Sequence, residues 1–394
     1  MNTASTNDPS DRFPQEPSGF RRRGFTLPAI PVFATGFGPG KTPTVSAETE
    51  DVLVRVERGV GFLTLNRPQA INSLNHPMVA AIDAALAAWA DDDAVRSVVL
   101  RGAGERGLCA GGDVVAIYHS ARADGAEARR FWFDEYRLNA RIGRYPKPYI
   151  ALMDGIVMGG GVGVSAHGNV RVVTDRSKIA MPEVGIGFIP DVGGTYLLSR
   201  APGRLGLHAA LTGAPFGGAD AIALGFADHY VSHNDLEPFT AMVEAEGPEA
   251  AVGAFAEDPP ASSLATQRDW IDHCYAGETL ADIVAALRGH GEGPANDAAN
   301  LIATRSPIAL AVTLASVRRA AALTSLEDVL VQEYRVSCAS LRSHDLVEGI
   351  RAQLVDKDRN PQWSPTSIEA VTEDDVAGYF VPADPDLTFE GDAL

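Results

Sequence analysis

The run KPYIALMDGIVMGGGVG at 147–163 decides the reading of the middle of the chain. YIALMDG at 149–155 is short, apolar and bounded by turn residues, which predicts a buried strand. The glycines that follow predict a helix start packed close against a neighbouring backbone, because they carry no side chain. Outward from this run the same alternation recurs. VLVRVE at 52–57 and VGFLTLN at 60–66 read as strands around an Arg58-Gly59 turn. In NHPMVAAIDAALAAWADD, Asn75 is the expected N-cap, and Val79, Ile82, Leu86 and Trp89 repeat at helical spacing. RSVVLRG at 96–102 reads as a buried strand, and 112–145 as a helix-friendly stretch after a glycine turn. Strands VRVVTD and KIAM follow, then PEVGIGFIPDVGG.

The cycle of strand, strand and helix runs loosely from 51 to about 231, and the remainder is mainly helical. LEPFTAMVEAEG and ETLADIVAALRG are amphipathic, 256–263 and 289–298 read as loops or breaks, and 306–322, 325–341 and 343–353 as helices. The acidic stretch TEDDV marks a short tail helix. The expected organisation is an arm over 1–49, a core over 50–235, a helical region over 236–375 and a tail over 376–394. The arm is rich in Pro, Gly, Ser and Thr and carries Arg21-Arg22-Arg23. Its GFGPGKT at 36–42 is one residue short of a phosphate loop and does not lead into a helix, so it reads as linker.

Composition excludes several classes. The 394 residues carry 33 basic and 51 acidic side chains, a formal net charge of −18. This field disfavours nucleic acid, and an anionic substrate would need a local basic patch. Cys109, Cys274 and Cys338 are far apart and read as reduced thiols of a cytoplasmic protein. No apolar run is long enough for a membrane span, and the first 20 residues do not look like a signal peptide. The histidines have no metal-ligand spacing and HExxH is absent, so no metal or other cofactor is expected. There is also no GxSxG elbow.

The available chemistry lies in glycine loops and carboxylates. RGLCAGGD at 106–113 and GIVMGGGVG at 155–163 could each present a backbone N–H to a developing oxyanion. Glu183 and Asp191 stand on short loops beside glycines and could form an acid–base pair, although solvated loop carboxylates are common. Glu135 could face a pocket or solvent. Asp113 is the expected cap of the helix after its loop. Cys109 reads as a small packing residue with a useful N–H rather than as a nucleophile.

Four segments, LNRPQAINSLN (65–75), GLCAGGDV (107–114), KPYIALMDGIVMGGGVG (147–163) and MPEVGIGFIPDVGG (181–194), resemble the crotonase (enoyl-CoA hydratase/isomerase) superfamily. The resemblance implies an α/β fold, a spiral of β-β-α units with a helical C-terminal region. It also implies an acyl-CoA thioester whose carbonyl sits between two backbone N–H groups, matched here to Cys109 and Gly160. Hydratases of the family typically carry two glutamates. One corresponds to Glu183, but the other falls at Gly163. Where PGAGG is common, this chain has PDVGG, which puts Asp191 at the pocket. These departures, with 306–314, 326–363 and the region around Glu135, resemble the 3-hydroxyisobutyryl-CoA hydrolase branch. The branch implies Glu135, Gly160, Glu183 and Asp191 at the substrate, with Gly112 beside them. Glu183 would attack the carbonyl or activate water, and Asp191 would orient the 3-hydroxyl or water. Arg67 and Lys147 are the candidates for the CoA phosphates. Many relatives in the family are homotrimers or hexamers, whereas the long helical C-terminal part could instead cover the body and limit assembly. A hydratase or isomerase of the same fold, or a silent acyl-CoA binding protein, are the competing expectations.

Overall fold

The computed structural model describes residues 50–291 and 293–389; the expected arm and the GFGPGKT segment lie outside them. Strands β1 (Val52–Glu57) and β2 (Val60–Leu65) form the predicted hairpin. Arg58 and Gly59 both have positive φ (46° and 82°), the turn whose twist matches antiparallel strands. Helix α1 (His76–Ala90) is capped by Asn75, whose side chain accepts from the Met78 N–H at 3.0 Å. Its buried face includes Met78, Val79, Ile82, Leu86 and Trp89.

β3 (Ser97–Gly102) then lies parallel to β2. The stretch after it forms two helices rather than one, α2 (Val114–Ala121) and α3 (Ala126–Gly143). The break falls at Gly125, whose φ of 73° no helix interior tolerates. β4 (Tyr149–Met153) and β5 (Ile156–Met158) lead into a single helical turn, α4 (Gly160–Gly163). β6 (Val170–Val173), β7 (Lys178–Ala180) and the two-residue β8 (His229–Tyr230) complete the strands.

The main sheet has the order β1-β2-β3-β4-β6-β8, parallel beyond the first hairpin. β2 and β4 are buried along their whole length, as expected of parallel strands covered on both faces. The second strand of each unit leaves this sheet. β5 pairs with β7, and Cys109 bridges to Val157, so the same kind of element recurs in three successive units. That is the β-β-α spiral.

Beyond β8 the described chain is helical apart from its connections. The three helices expected between 306 and 353 run Pro307–Ala320, Leu326–Ser340 and His344–Ile350, capped by Ser306, Ser325 and Ser343. The expected break at 289–298 is shorter than predicted, because Pro294 opens a helix over Pro294–Ile302. Part of the expected tail is docked on the body. Leu387 is buried, and Asp386 pairs with Arg335 at 2.7 Å.

One glycine sets the spacing of the two layers. Gly107 has a φ of 149°, and a Cβ built on it would lie 2.1 Å from the Ile156 nitrogen. Gly107→Ala therefore has to push the Gly107–Cys109 segment off β5. The expected loss is at least about 2 kcal/mol of stability, measured by urea denaturation.

Candidate active site

A cavity of about 850 Å³ opens between the two glycine loops, α3 and the turns after β7. Its wall includes Gly112, Gly160, Glu135, Glu183 and Asp191. Glu183 begins a 3-10 turn directly after Pro182, and Asp191 follows Pro190 on the next loop. Glu135 projects from α3. All three carboxylate residues are buried, at 2–6% exposure.

The backbone donors are the decisive geometry. The Cys109 N–H donates to the Ile156 carbonyl at 3.0 Å, and the Met158 N–H returns a bond to the Cys109 carbonyl. Cys109 is buried and outside the cavity wall, and burial pushes its thiol up to about 12. The expectation that Cys109 supplies an oxyanion donor is therefore corrected: its N–H is consumed by the pairing with β5. Gly111 gives its N–H to the Cys109 sulfur. The Gly112 and Gly160 N–H groups have no acceptor among the described residues. They lie close together, since a Cβ on Gly160 would stand 3.2 Å from the Gly112 nitrogen. The same Cβ would stand 2.8 Å from Glu135 Oε1, and one on Gly159 would stand 2.8 Å from Glu183 Oε1. Two free donors and two carboxylates thus converge on one pair of glycines. Glu135 Oε1 and Glu183 Oε2 have no protein partner, a costly state for buried acceptors that suits groups meant for a ligand.

Comparison with known proteins agrees with this architecture. The model of the enoyl-CoA hydratase/isomerase family matches residues 60–380. The chain belongs to this family. Among curated relatives, "3-hydroxyisobutyryl-CoA hydrolase, mitochondrial" of Gallus gallus is 36% identical over 87% of this chain and 91% of its own. The Homo sapiens protein of the same name is 37% identical over 84% and 88%. A crystal structure named carnitinyl-CoA dehydratase from Mycobacterium thermoresistibile is 74% identical. It covers 87% of this chain and all of its own, with a TM-score of 0.85. An enoyl-CoA hydratase structure from Rhodobacter sphaeroides is 42% identical, with a TM-score of 0.82. The names attach different reactions to similar chains, so the residues of this family member must discriminate.

They do so at Gly163. A Cβ there would lie 2.6 Å from the Val192 Cβ and 2.9 Å from the Asn139 amide nitrogen. In this member of the enoyl-CoA hydratase/isomerase family no carboxylate side chain fits at this position unless Val192 moves. Asp191 is the remaining acid beside Glu183 and Glu135. Its Oδ2 accepts from the Tyr136 hydroxyl at 2.7 Å, and burial pushes its carboxyl up to about 7. Burial, then the charge of Asp191, pushes both Glu135 and Glu183 well above the usual carboxylate range.

Four basic side chains line the cavity although the chain is acidic. Arg67 lines it, held by the Ser73 carbonyl and Asp113. Asp113 also caps α2 as expected, accepting from the Ala116 N–H. Lys147 does not reach the cavity. Its ammonium donates to the Trp89 and Asp92 carbonyls, so it neutralises the C-terminal end of α1. This corrects its expected phosphate role. Arg106, Arg305 and Lys357 line the cavity instead. Arg106 stood inside a quoted motif, but only the fold brings Arg305 and Lys357 to the same opening. Among the described residues no group of three or more His, Cys, Asp or Glu could hold a metal ion.

The raised pKa of Glu135 has a consequence for stability. In the unfolded chain Glu135 ionises near the ordinary glutamate value of about 4.3. Above that pH the native state holds a proton that the unfolded state has lost, so this group's contribution falls as pH rises. Glu135→Gln removes that dependence. The difference in Tm, variant minus wild type, should grow between about pH 5 and pH 8 in calorimetry.

Proposed function

We propose that the protein hydrolyses a short β-hydroxyacyl-CoA, 3-hydroxyisobutyryl-CoA first among them, to the free acid and CoA. The observation that carries this reading is the closure of the Gly163 position by Val192, with Glu183 left against the paired donors. Hydration of a double bond wants two positioned carboxylates. Here the place of the second is filled, and what remains is a carbonyl-activating site with a base. The names of the curated relatives support the same substrate.

In this mechanism the Gly112 and Gly160 N–H groups hold the thioester oxygen and stabilise the charge it gains on attack. Glu183, a stronger base than an ordinary carboxylate because it is buried, takes a proton from water as the water oxygen bonds to the carbonyl carbon. The carbon–sulfur bond then breaks, and the thiolate of CoA takes up a proton. Asp191, with its carboxyl near neutrality, orients the 3-hydroxyl and supplies that proton. Glu135 forms the polar side of the acyl pocket. Arg67, Arg106 and Lys357 in the cavity wall meet the CoA phosphates. The route spends no cofactor, because CoA enters as part of the substrate. Place in valine breakdown follows from that substrate. The cytoplasm is our proposal for its compartment, resting on three buried, unpaired thiols; the curated relatives' names place those proteins in mitochondria.

The direct test is thiol release from a panel of short acyl-CoAs. Wild type should release CoA from 3-hydroxyisobutyryl-CoA, and Glu183→Gln should lose about 10²- to 10⁴-fold in kcat. Hydration of crotonyl-CoA without thiol release would favour the hydratase reading instead. A second expectation concerns the basic side chains. Arg106→Ala should raise KM for acyl-CoA roughly 10-fold with kcat nearly unchanged, and the effect should shrink at high salt.

A further inference from the structure

The Leu326–Ser340 helix lies far from the site in sequence, yet it sends two polar side chains beneath Asp191. Glu333 is fully buried. Its Oε2 accepts from the Gly193 N–H at 2.6 Å. Its Oε1 accepts from the Thr195 N–H at 2.9 Å and the Thr195 hydroxyl at 2.5 Å. These donors begin two residues after Asp191. Between them sits Val192, a β-branched residue held at a φ of 52°, which is strained without outside support. One helical turn beyond Glu333, the Ser337 hydroxyl lies 2.7 Å from the Tyr136 hydroxyl, which itself donates to Asp191. The helix therefore touches the Asp191 loop along two independent routes.

We propose that Glu333 is a positioning residue: its carboxylate holds the Gly193–Thr195 turn and so aims Asp191, while Ser337 holds Tyr136 against the same carboxylate. The kinetic side of this proposal rests on the hydrolase reading. The packing of this largely buried helix needs no acid, and an apolar residue of similar volume would fill this interior more cheaply. Three directed donors on one carboxylate instead specify a single turn geometry. The arrangement also couples charges. Glu333 is pushed up to about 8 by burial, and the Asp191 charge adds to its cost of ionisation. The other groups facing this pair are Tyr136, Glu183, Glu135 and His167. His167 stays neutral, lowered to about 4 by burial, and bonds the Val192 carbonyl.

The test combines titration with kinetics on the full chain. Asp191 is followed by carbon-13 NMR of labelled aspartate carboxyls, assigned by its loss in Asp191→Asn. In Glu333→Gln the turn that aims Asp191 loosens and its bond from Tyr136 weakens, so the Asp191 midpoint should rise. In Tyr136→Phe the donor to the ionised form is gone, and the midpoint should rise. With 3-hydroxyisobutyryl-CoA, Glu333→Gln should lose about 10- to 100-fold in kcat with KM little changed, as expected of a misaimed group. Thr195→Val removes one of the three bonds and should show a smaller change of the same sign, which keeps the question answerable if Glu333→Gln does not fold. A folded variant with lower Tm but an unmoved Asp191 midpoint and unchanged kcat overturns the proposal and leaves a structural brace. If wild type releases no thiol, the hydrolase reading fails, and the NMR arm alone judges the positioning role.

Discussion

The site depends on how far two backbones pair before they part. The segment around Cys109 runs beside β5 as a bridged pair, exchanging bonds between Cys109, Ile156 and Met158. Gly161 presses against the Cys109 carbonyl so closely that a Cβ would stand 2.5 Å from its oxygen. Just beyond this contact both chains turn at glycines with positive φ, Gly111 at 111° and Gly159 at 47°. Each turn takes the next N–H out of the pairing. The Gly112 and Gly160 donors are therefore left over by the same contact that fixes their separation. Donors built this way need no reorganisation when charge develops on a bound oxygen.

The carboxylates carry the opposite burden. Glu135, Glu183, Asp191 and Glu333 gather in one interior, and each is pushed toward its neutral form. Tyr136 and the 193–195 turn supply donors to two of them, while Glu135 and Glu183, which line the cavity, each keep a buried oxygen without a protein partner. A core designed for stability alone would not keep this set. Its retention fits the usual exchange of stability for a site held ready for reaction. The basic side chains in the cavity wall give an anionic carrier local partners in a strongly acidic protein.

Much of this was legible in the sequence because it is local. The hairpin around Arg58-Gly59, the Asn75 and Asp113 caps and the buried strands follow from short patterns, and the motif order pointed to Glu183, Asp191, Glu135 and Gly160. The missed features are those decided by pairing at a distance. Cys109 and Gly112 share one loop, and only the contact with β5 shows which N–H is spent. Lys147 precedes a strand as a phosphate ligand might, but the end of α1 lies nearer. Glu333 stands 138 residues from Thr195 and reads as one polar residue on an otherwise helical pattern. Its only signal is an acid between Leu330 and Val336, both of which are buried.

The scatter of reaction names among similar folds has a physical reading. Overall similarity measures the paired glycine loops and the sheet that carries them, and any chemistry passing through a thioester oxyanion can use that frame. What separates the reactions is the small volume around the carbonyl. In this chain Val192 fills the space above Gly163, and its strained backbone is supported from behind by His167 and by the turn that Glu333 holds. The choice between adding water to a double bond and cleaving a thioester then rests on whether a second carboxylate can enter there. A side chain standing 2.6 Å from the position of a Cβ leaves it no room. The helical C-terminal region thus bears on the reaction through the shape of one loop as well as through the Arg305 and Lys357 side chains that it brings to the cavity wall.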